Sequence, residues 1–375
     1  MHPKLGVRSV SLRCADAVGV RRALLESTHM YDEAKHSLAS HGVKVAGVEV
    51  ELPAMMAQKS SAVAGLAKSI ELLLKKNKVT YVKGHGKIVG PHQVAVSLLD
   101  SPGKTSIIIA RNIIVATGSD VQALPGVQIN ATKIVSSTGA LSLPSMPKKL
   151  VVLGGGAIGL ELGSVWGRLG AEVTVVELTD GIGGNMDREI RRTLQRELEK
   201  QGFKFMLATK VVFANASGRG VLVQVEPARG GQRSTLQADV VLVATGCVPY
   251  TDGLGLEAVG VRRDMARRIV VDSRFQSSVP GVFAIGDVIP GPMLAHKAEA
   301  DGIACVENLA GKNGYVNYST MPWIVYTHPE VAMVGKTEED SKQSGVEYRM
   351  GKFPFTANSR AHTTRDTEGM VKMIA

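Results

Sequence analysis

Residues 150–163 read LVVLGGGAIGLELG, and residues 172–177 read EVTVVE. The apolar run Leu150–Leu153 predicts a buried strand, Ile158–Leu169 a helix stopped by Gly170, and Glu172–Val176 a second strand. Between the first strand and the helix stand Gly154, Gly156 and Gly159, spaced GxGxxG. A lone GxGxxG carries little weight; between a strand and a helix it is the fingerprint of a dinucleotide-binding βαβ unit. Gly154 permits the tight turn, Gly156 lets a pyrophosphate approach the backbone, and Gly159 allows close helix–strand packing. The backbone of Gly155, Ala157 and Ile158 completes the cradle, because unpaired N–H groups and the dipole at a helix N-terminus favour negative charge. Glu177 closes the second strand twenty-one residues after Gly156. A carboxylate there accepts a ribose 2′-hydroxyl and repels a 2′-phosphate, and no Arg stands at 178 or 179, so NAD is expected rather than NADP.

Outward from this unit, residues 53–77 predict a helix with Pro53 at its start and Lys75 and Lys76 in its last turn. Short strands are expected at Val79–Lys83, Val94–Leu98, Ile107–Ala110 and Asn112–Ala116, separated by Gly and Pro. PSMPKK (Pro144–Lys149) reads as a linker. After the fingerprint come a helix at about 187–201 stopped by Gly202, then strands at Lys204–Leu207, Val221–Glu226 and Asp239–Thr245. A strand at Val282–Ile285 and a helix at His296–Leu309 follow. MVKMIA (Met370–Ala375) is strand-like and is expected to lack a partner within the chain.

The 375 residues suffice for two or three domains, and 44% hydrophobic with 21% charged residues is a globular composition. The net charge is +10, but the charges are scattered and aromatics make up only 4%, which argues against a nucleic-acid platform. No apolar run reaches the ~18–20 residues of a membrane helix. Cys14, Cys247 and Cys305 form no CxxC and no metal-ligand spacing, so no metal site is expected. Residues 1–22 are Arg-rich and acid-poor, which fits either a transit peptide or a short surface segment.

Further motifs occur in a fixed order: ALLESTHMYDEA (Ala23–Ala34), VKGHGKI (Val82–Ile88), IIVATGS (Ile113–Ser119), VFAIGDV (Val282–Val288), MLAHKAEADG (Met293–Gly302), YTHPEVAMVGKTE (Tyr326–Glu338) and FTANSRA (Phe355–Ala361). In this set and order, residues 23–375 resemble the dihydrolipoamide dehydrogenases, of the FAD-containing pyridine nucleotide-disulfide oxidoreductases. The resemblance implies an α/β flavoprotein reductase fold with FAD and NAD as cofactors, a lipoyl dithiol as substrate, a homodimer, and a mitochondrial location. It implies flavin contacts at Arg22, Gly86, Thr117, Gly118, Ser119, Asp287 and the segment Met293, Leu294, Ala295 and His296. It also places Glu161, Val211 and Gly246 along the NAD site. The implied domains are an atypical basic N-terminus (1–22), a partial FAD domain (23–147) returning at 269–315, a Rossmann NAD domain (148–268), and a partial interface domain (316–375).

Several departures bear on activity. The family's N-terminal βαβ unit for FAD has no counterpart here. Its CxxxxC pair would fall at Arg13 and Val18, with Cys14 one residue off; Arg22 stands where a lysine is expected, and Cys247 where Arg follows ATG. The family's His–Glu base would lie past Ala375. No catalytic residue is therefore assigned, and the chain is expected to be cut short at both ends and inactive in dithiol chemistry. Two alternatives stay open: a non-catalytic NAD-binding pseudoenzyme or misread gene, and an NADH–flavin diaphorase that needs no thiols.

Overall fold

In the computed structural model, which describes residues 8–9, 13–218 and 220–375 and side chains from Val20 onward, the fingerprint strand Lys149–Leu153 is the middle strand of a five-stranded sheet. The order is Lys204–Met206, Glu172–Val176, Lys149–Leu153, Val240–Val243, Ile134–Val135, all parallel. Leu150, Val151, Val152 and Leu153 are all buried, as a strand covered on both faces requires. The chain first winds from Lys149–Leu153 toward Lys204–Met206 and later adds Val240–Val243 on the other side. The order therefore reverses between Lys149–Leu153 and Val240–Val243, and such a reversal opens a crevice at the carboxyl ends of the two strands.

Helix Ala157–Arg168 covers one face, burying Leu160, Leu162, Val165 and Trp166, with Trp166 Nε1 donating to Ala140 O at 3.1 Å. Helix Arg188–Lys200 starts on Asp187, whose carboxylate accepts from Glu189 N and Ile190 N. An antiparallel meander, Thr209–Ser217, Gly220–Pro227 and Ser234–Ala238, packs Val221, Val223 and Val225 into a core with Val151, Leu153 and Val241.

These elements belong to one of two units, formed by Val20–Lys59, Val121–Gly246 and Pro322–Ala375. Its last segment pairs Trp323–Val325 with Val331–Met333 and Met350–Pro354 with Met370–Ile374, both antiparallel. The strand at Met370–Ile374 thus has a partner, contrary to expectation. Its partner, MGKFP, carries a Gly and a Pro and hides its strand character in sequence, yet it satisfies the backbone groups of Met370–Ile374 in register.

The second unit contains Ser60–Asp120 and Cys247–Met321. It has an antiparallel sheet of Gly84–Gly90, Gln93–Leu98 and Thr105–Ile109, and a parallel pair of Ile113–Val115 with Val282–Ala284. Its core joins Ile88, Ile113, Val115, Leu256, Phe275, Phe283 and Cys305. The predicted strand at Val79–Lys83 shortens to Thr80–Tyr81. Residues 1–7 and 10–12 of the basic N-terminal segment lie outside the described residues, as do the side chains of Arg13, Cys14 and Val18. No described helix is long and apolar enough to cross a membrane.

Candidate functional site

The glycine turn at the crevice divides its glycines by what a side chain would meet. Gly154 has φ +108°, and a Cβ there would lie 2.3 Å from Ala244 O. At Gly159 a Cβ would lie 2.2 Å from Gly154 O and 3.0 Å from Val152 Cγ1. Gly156 differs: its backbone is extended, and a Cβ would meet no atom within 4 Å. The space above Gly156 is therefore open to a ligand. No side chain caps the N-terminus of helix Ala157–Arg168, and its first turn holds no acid, a combination that suits an anion.

Glu177 is drawn into the same turn. Its Oε2 accepts from Gly155 N at 2.7 Å, and its Oε1 accepts from Thr179 N at 2.8 Å and Thr179 Oγ1 at 2.9 Å. Three hydrogen bonds fix the carboxylate while leaving acceptor capacity for a sugar hydroxyl. Gly246 follows the neighbouring strand at the same sheet end, with φ +124° and its carbonyl accepting from Gln122 N at 3.0 Å. Val211 sits in the meander opposite Val225, beside a bulge. Glu161 takes other partners: it is fully buried, paired with Arg21 at 2.5 Å, and accepts from Tyr326 N at 3.0 Å. Burial pushes its carboxyl pKa up, and Arg21 opposes that shift. Arg22 hydrogen-bonds the Tyr326 hydroxyl, with its guanidinium carbon 4.3 Å from the ring centroid.

An alanine at position 156 fits the free protein. Gly156→Ala is therefore expected to leave the melting temperature unchanged and to weaken NAD binding about tenfold, by denying the pyrophosphate its approach. Unchanged affinity in an NADH fluorescence titration would remove Gly156 from the site.

The other unit gathers a second set. Ile113–Val115 and Val282–Ala284 run parallel and end side by side, so Thr117–Ser119 and Gly286–Asp287 leave the same end of the pair. Thr117 Oγ1 donates to Tyr250 O at 2.6 Å, and Tyr250 N donates to Gly118 O at 2.9 Å. Gly118 has φ +73°, and a Cβ there would meet nothing within 4 Å. Ser119 Oγ donates to Asp287 Oδ2 at 2.6 Å. Met293 and Leu294 lead into helix Ala295–Leu309, whose first turn holds Ala295 and His296. Gly86 lies in the antiparallel sheet opposite Val96. An open glycine turn beside an oriented carboxylate suits a pyrophosphate and a polyhydroxyl chain, so these residues fit part of a flavin dinucleotide. Sequence reasoning missed Lys297, Asp301 and Tyr318 next to this set; the one local sign was the Lys-x-x-x-Asp spacing.

Cys305 is buried, and burial together with Asp301 pushes its thiol up to about 11, leaving little thiolate at neutral pH. Among the described residues no cluster of His, Cys, Asp and Glu could hold a metal.

Residues 12–302 match the family described as Pyridine nucleotide-disulphide oxidoreductase, and residues 321–375 match its dimerisation domain. The chain is 62% identical over 354 residues to Dihydrolipoyl dehydrogenase 1, mitochondrial, of Arabidopsis thaliana, covering 94% of this chain and 69% of that relative. It is 60% identical over 354 residues to Leghemoglobin reductase of Vigna unguiculata, covering 94% and 67%. In structure it resembles LpdA of Mycobacterium tuberculosis with a TM-score of 0.88 at 24% identity, covering 100% of this chain and 82% of that one. The chain therefore belongs to the pyridine nucleotide-disulphide oxidoreductases, an α/β oxidoreductase family whose dihydrolipoyl dehydrogenases use FAD and NAD(H).

Proposed function

We propose that this chain is an NAD(H)-binding oxidoreductase of the dihydrolipoyl dehydrogenase type that carries an NAD site and part of a flavin site but no dithiol-exchange pair in residues 1–375. The observation that carries this reading is the Glu177 carboxylate, hydrogen-bonded to Gly155 N beside the open Gly156 and an uncapped helix N-terminus. The loop backbone would hold the pyrophosphate and Glu177 the adenosine ribose, with Val211 and Gly246 along the crevice. Glu177→Arg is expected to reduce NADH affinity by about tenfold or more, since a bidentate acceptor is replaced by a cation. Equal NADH affinity in wild type and variant would refute the ribose assignment.

We assign residues 23–147 and 269–315 to a flavin domain, apart from the strand Ile134–Val135, which pairs in the NAD sheet, 148–268 to the NAD domain and 316–375 to a dimer-forming domain. Gly86, Thr117–Ser119, Asp287 and Met293–His296 would hold FAD, and Glu161 would stand beside the NAD site. Those flavin-site residues would hold FAD for hydride exchange with the nicotinamide of NAD(H). The matched dimerisation segment and the mitochondrial relatives support a homodimer in mitochondria.

Thiol–disulfide exchange needs a thiolate and a partner sulfur within reach. The chain's cysteines, Cys14, Cys247 and Cys305, form no CxxxxC pair. The 375-residue chain is therefore expected to show no NAD reduction driven by dihydrolipoamide, read as absorbance at the NADH band. A steady rate proportional to dihydrolipoamide would sink this part of the proposal. A second reading draws on the relative named Leghemoglobin reductase, a name that refers to reduction of a haem protein. Electrons would then pass from NADH through FAD to an acceptor with no thiol involved. NADH-dependent dye reduction without dithiol turnover distinguishes it.

A further inference from the structure

Lys297 and Asp301 are both fully buried, one turn apart on helix Ala295–Leu309, with Nζ 2.8 Å from Oδ2. Both also reach the same residue of the facing turn. Lys297 Nζ donates to Gly286 O at 2.9 Å, and Asp301 Oδ2 accepts from Gly286 N at 3.0 Å. Tyr318 closes the set, its hydroxyl donating to Asp301 Oδ1 at 2.8 Å. Gly286 has φ +72° and lies so close to the helix that a Cβ would sit 3.1 Å from Ala298 Cβ. The next residue is Asp287.

A buried ion pair gains little stability, because desolvation offsets most of the attraction and an apolar pair often does as well. What this pair does supply is geometry. Donor and acceptor charges grip both backbone groups of a glycine in a left-handed conformation, and so set the direction in which the chain leaves it. At 0% exposure neither side chain can touch a ligand. We propose that Lys297 and Asp301, braced by Tyr318, are positioning residues that lock the Gly286–Asp287 turn and aim the Asp287 carboxylate at sugar hydroxyls of the flavin. This rests on the reading of Asp287 as part of a flavin site. Ser119 restrains the same carboxylate through its hydroxyl, which donates to Asp287 Oδ2.

The test is FAD titration by flavin fluorescence, with thermal melting in parallel, on the full chain. Asp287→Ala is expected to weaken FAD binding without lowering the melting temperature. Lys297→Met leaves Asp301 buried and unpaired, so it lowers both the melting temperature and, about tenfold, the FAD affinity. The double variant Lys297→Met/Asp301→Leu removes both charges. It is expected to regain part of the melting temperature, since the unpaired charge is gone while Gly286 N and the Tyr318 hydroxyl still lack their acceptor, but not the FAD affinity. Full recovery of affinity with stability overturns the proposal and makes the pair structural only. Should the double variant fail to fold, Tyr318→Phe decides: weaker FAD binding in a folded chain supports positioning, and unchanged binding overturns it. Wild type that binds no FAD, or Asp287→Ala that binds it normally, instead overturns the flavin-site reading beneath the proposal.

Discussion

Gly159→Ala is expected to lower NAD affinity by more than about tenfold and to destabilise the protein by ~1–3 kcal/mol. The added Cβ would lie 2.2 Å from Gly154 O and 3.0 Å from Val152 Cγ1. Neither neighbour can step aside cheaply: one is backbone, and the other is a side chain buried in the middle strand. The helix must lift from the strand, and the glycine turn moves with it. Overpacking of this kind costs stability because interiors are close-packed. The contrast with Gly156→Ala is the informative part. There the same methyl enters open space, so only the ligand feels it. Urea unfolding and NADH titration of both variants separate the two roles. If Gly159→Ala matched wild type in both measurements, the turn geometry described here would be wrong.

Lys372→Met is expected to cost about 3 kcal/mol, the loss typical of removing one partner from a buried charge cluster. Lys372 is 4% exposed. Its Nζ lies 2.9 Å from Asp187 Oδ2, 2.6 Å from Glu338 Oε2 and 3.3 Å from Glu189 Oε2. It thereby joins the strand Met370–Ile374 to the N-termini of two helices, capped by Asp187 and Thr337. Burial works against the lysine's charge, but the carboxylates outweigh it and raise its pKa. Asp187 is likewise held low: burial raises its pKa, and Lys372 and the backbone N–H donors more than reverse that. Lys342, Lys372 and Tyr348 bring Glu338 down to about 2.

The signs fix the pH window. Carboxyls depressed by folding contribute stability that is complete above their unfolded values, about 4, and is lost as pH falls through the folded ones. The raised lysine contributes fully below its unfolded value and loses that contribution only at high pH. At neutral pH the whole cluster is therefore in force. The gap between wild type and Lys372→Met is expected to narrow as pH falls from about 4 toward the folded values. A gap in urea stability that stayed constant from pH 7 to pH 3 would show that the lost lysine acts through packing and not charge.

The glycine turn and its carboxylate were legible in sequence because the information is local: Gly154, Gly156, Gly159 and Glu177 sit on one βαβ unit, and their spacing encodes the turn. The strand at Glu172–Val176 runs as expected, and the fingerprint helix shifts by one residue at each end, to Ala157–Arg168. The Lys372 cluster was not legible, since Asp187 and Lys372 lie 185 residues apart and each alone is an ordinary charge. Met350–Pro354 escaped notice because a strand with Gly and Pro declares itself only through its partner. Arg21 and Arg22 illustrate a finer limit. Neighbours on a helix point about 100° apart, and packing alone sends Arg21 to Glu161 and Arg22 to Tyr326.

Parallel fluorescence titrations of NADH and NADPH into the purified chain bear on the NAD site before any other experiment. One-site NADH binding with a Kd on the order of 10 μM is expected, with NADPH at least about tenfold weaker because Glu177 faces the 2′-phosphate. Absence of NADH binding by a folded chain, or equal affinity for the two nucleotides, would contradict the assignment of the glycine turn and Glu177 as an NAD site.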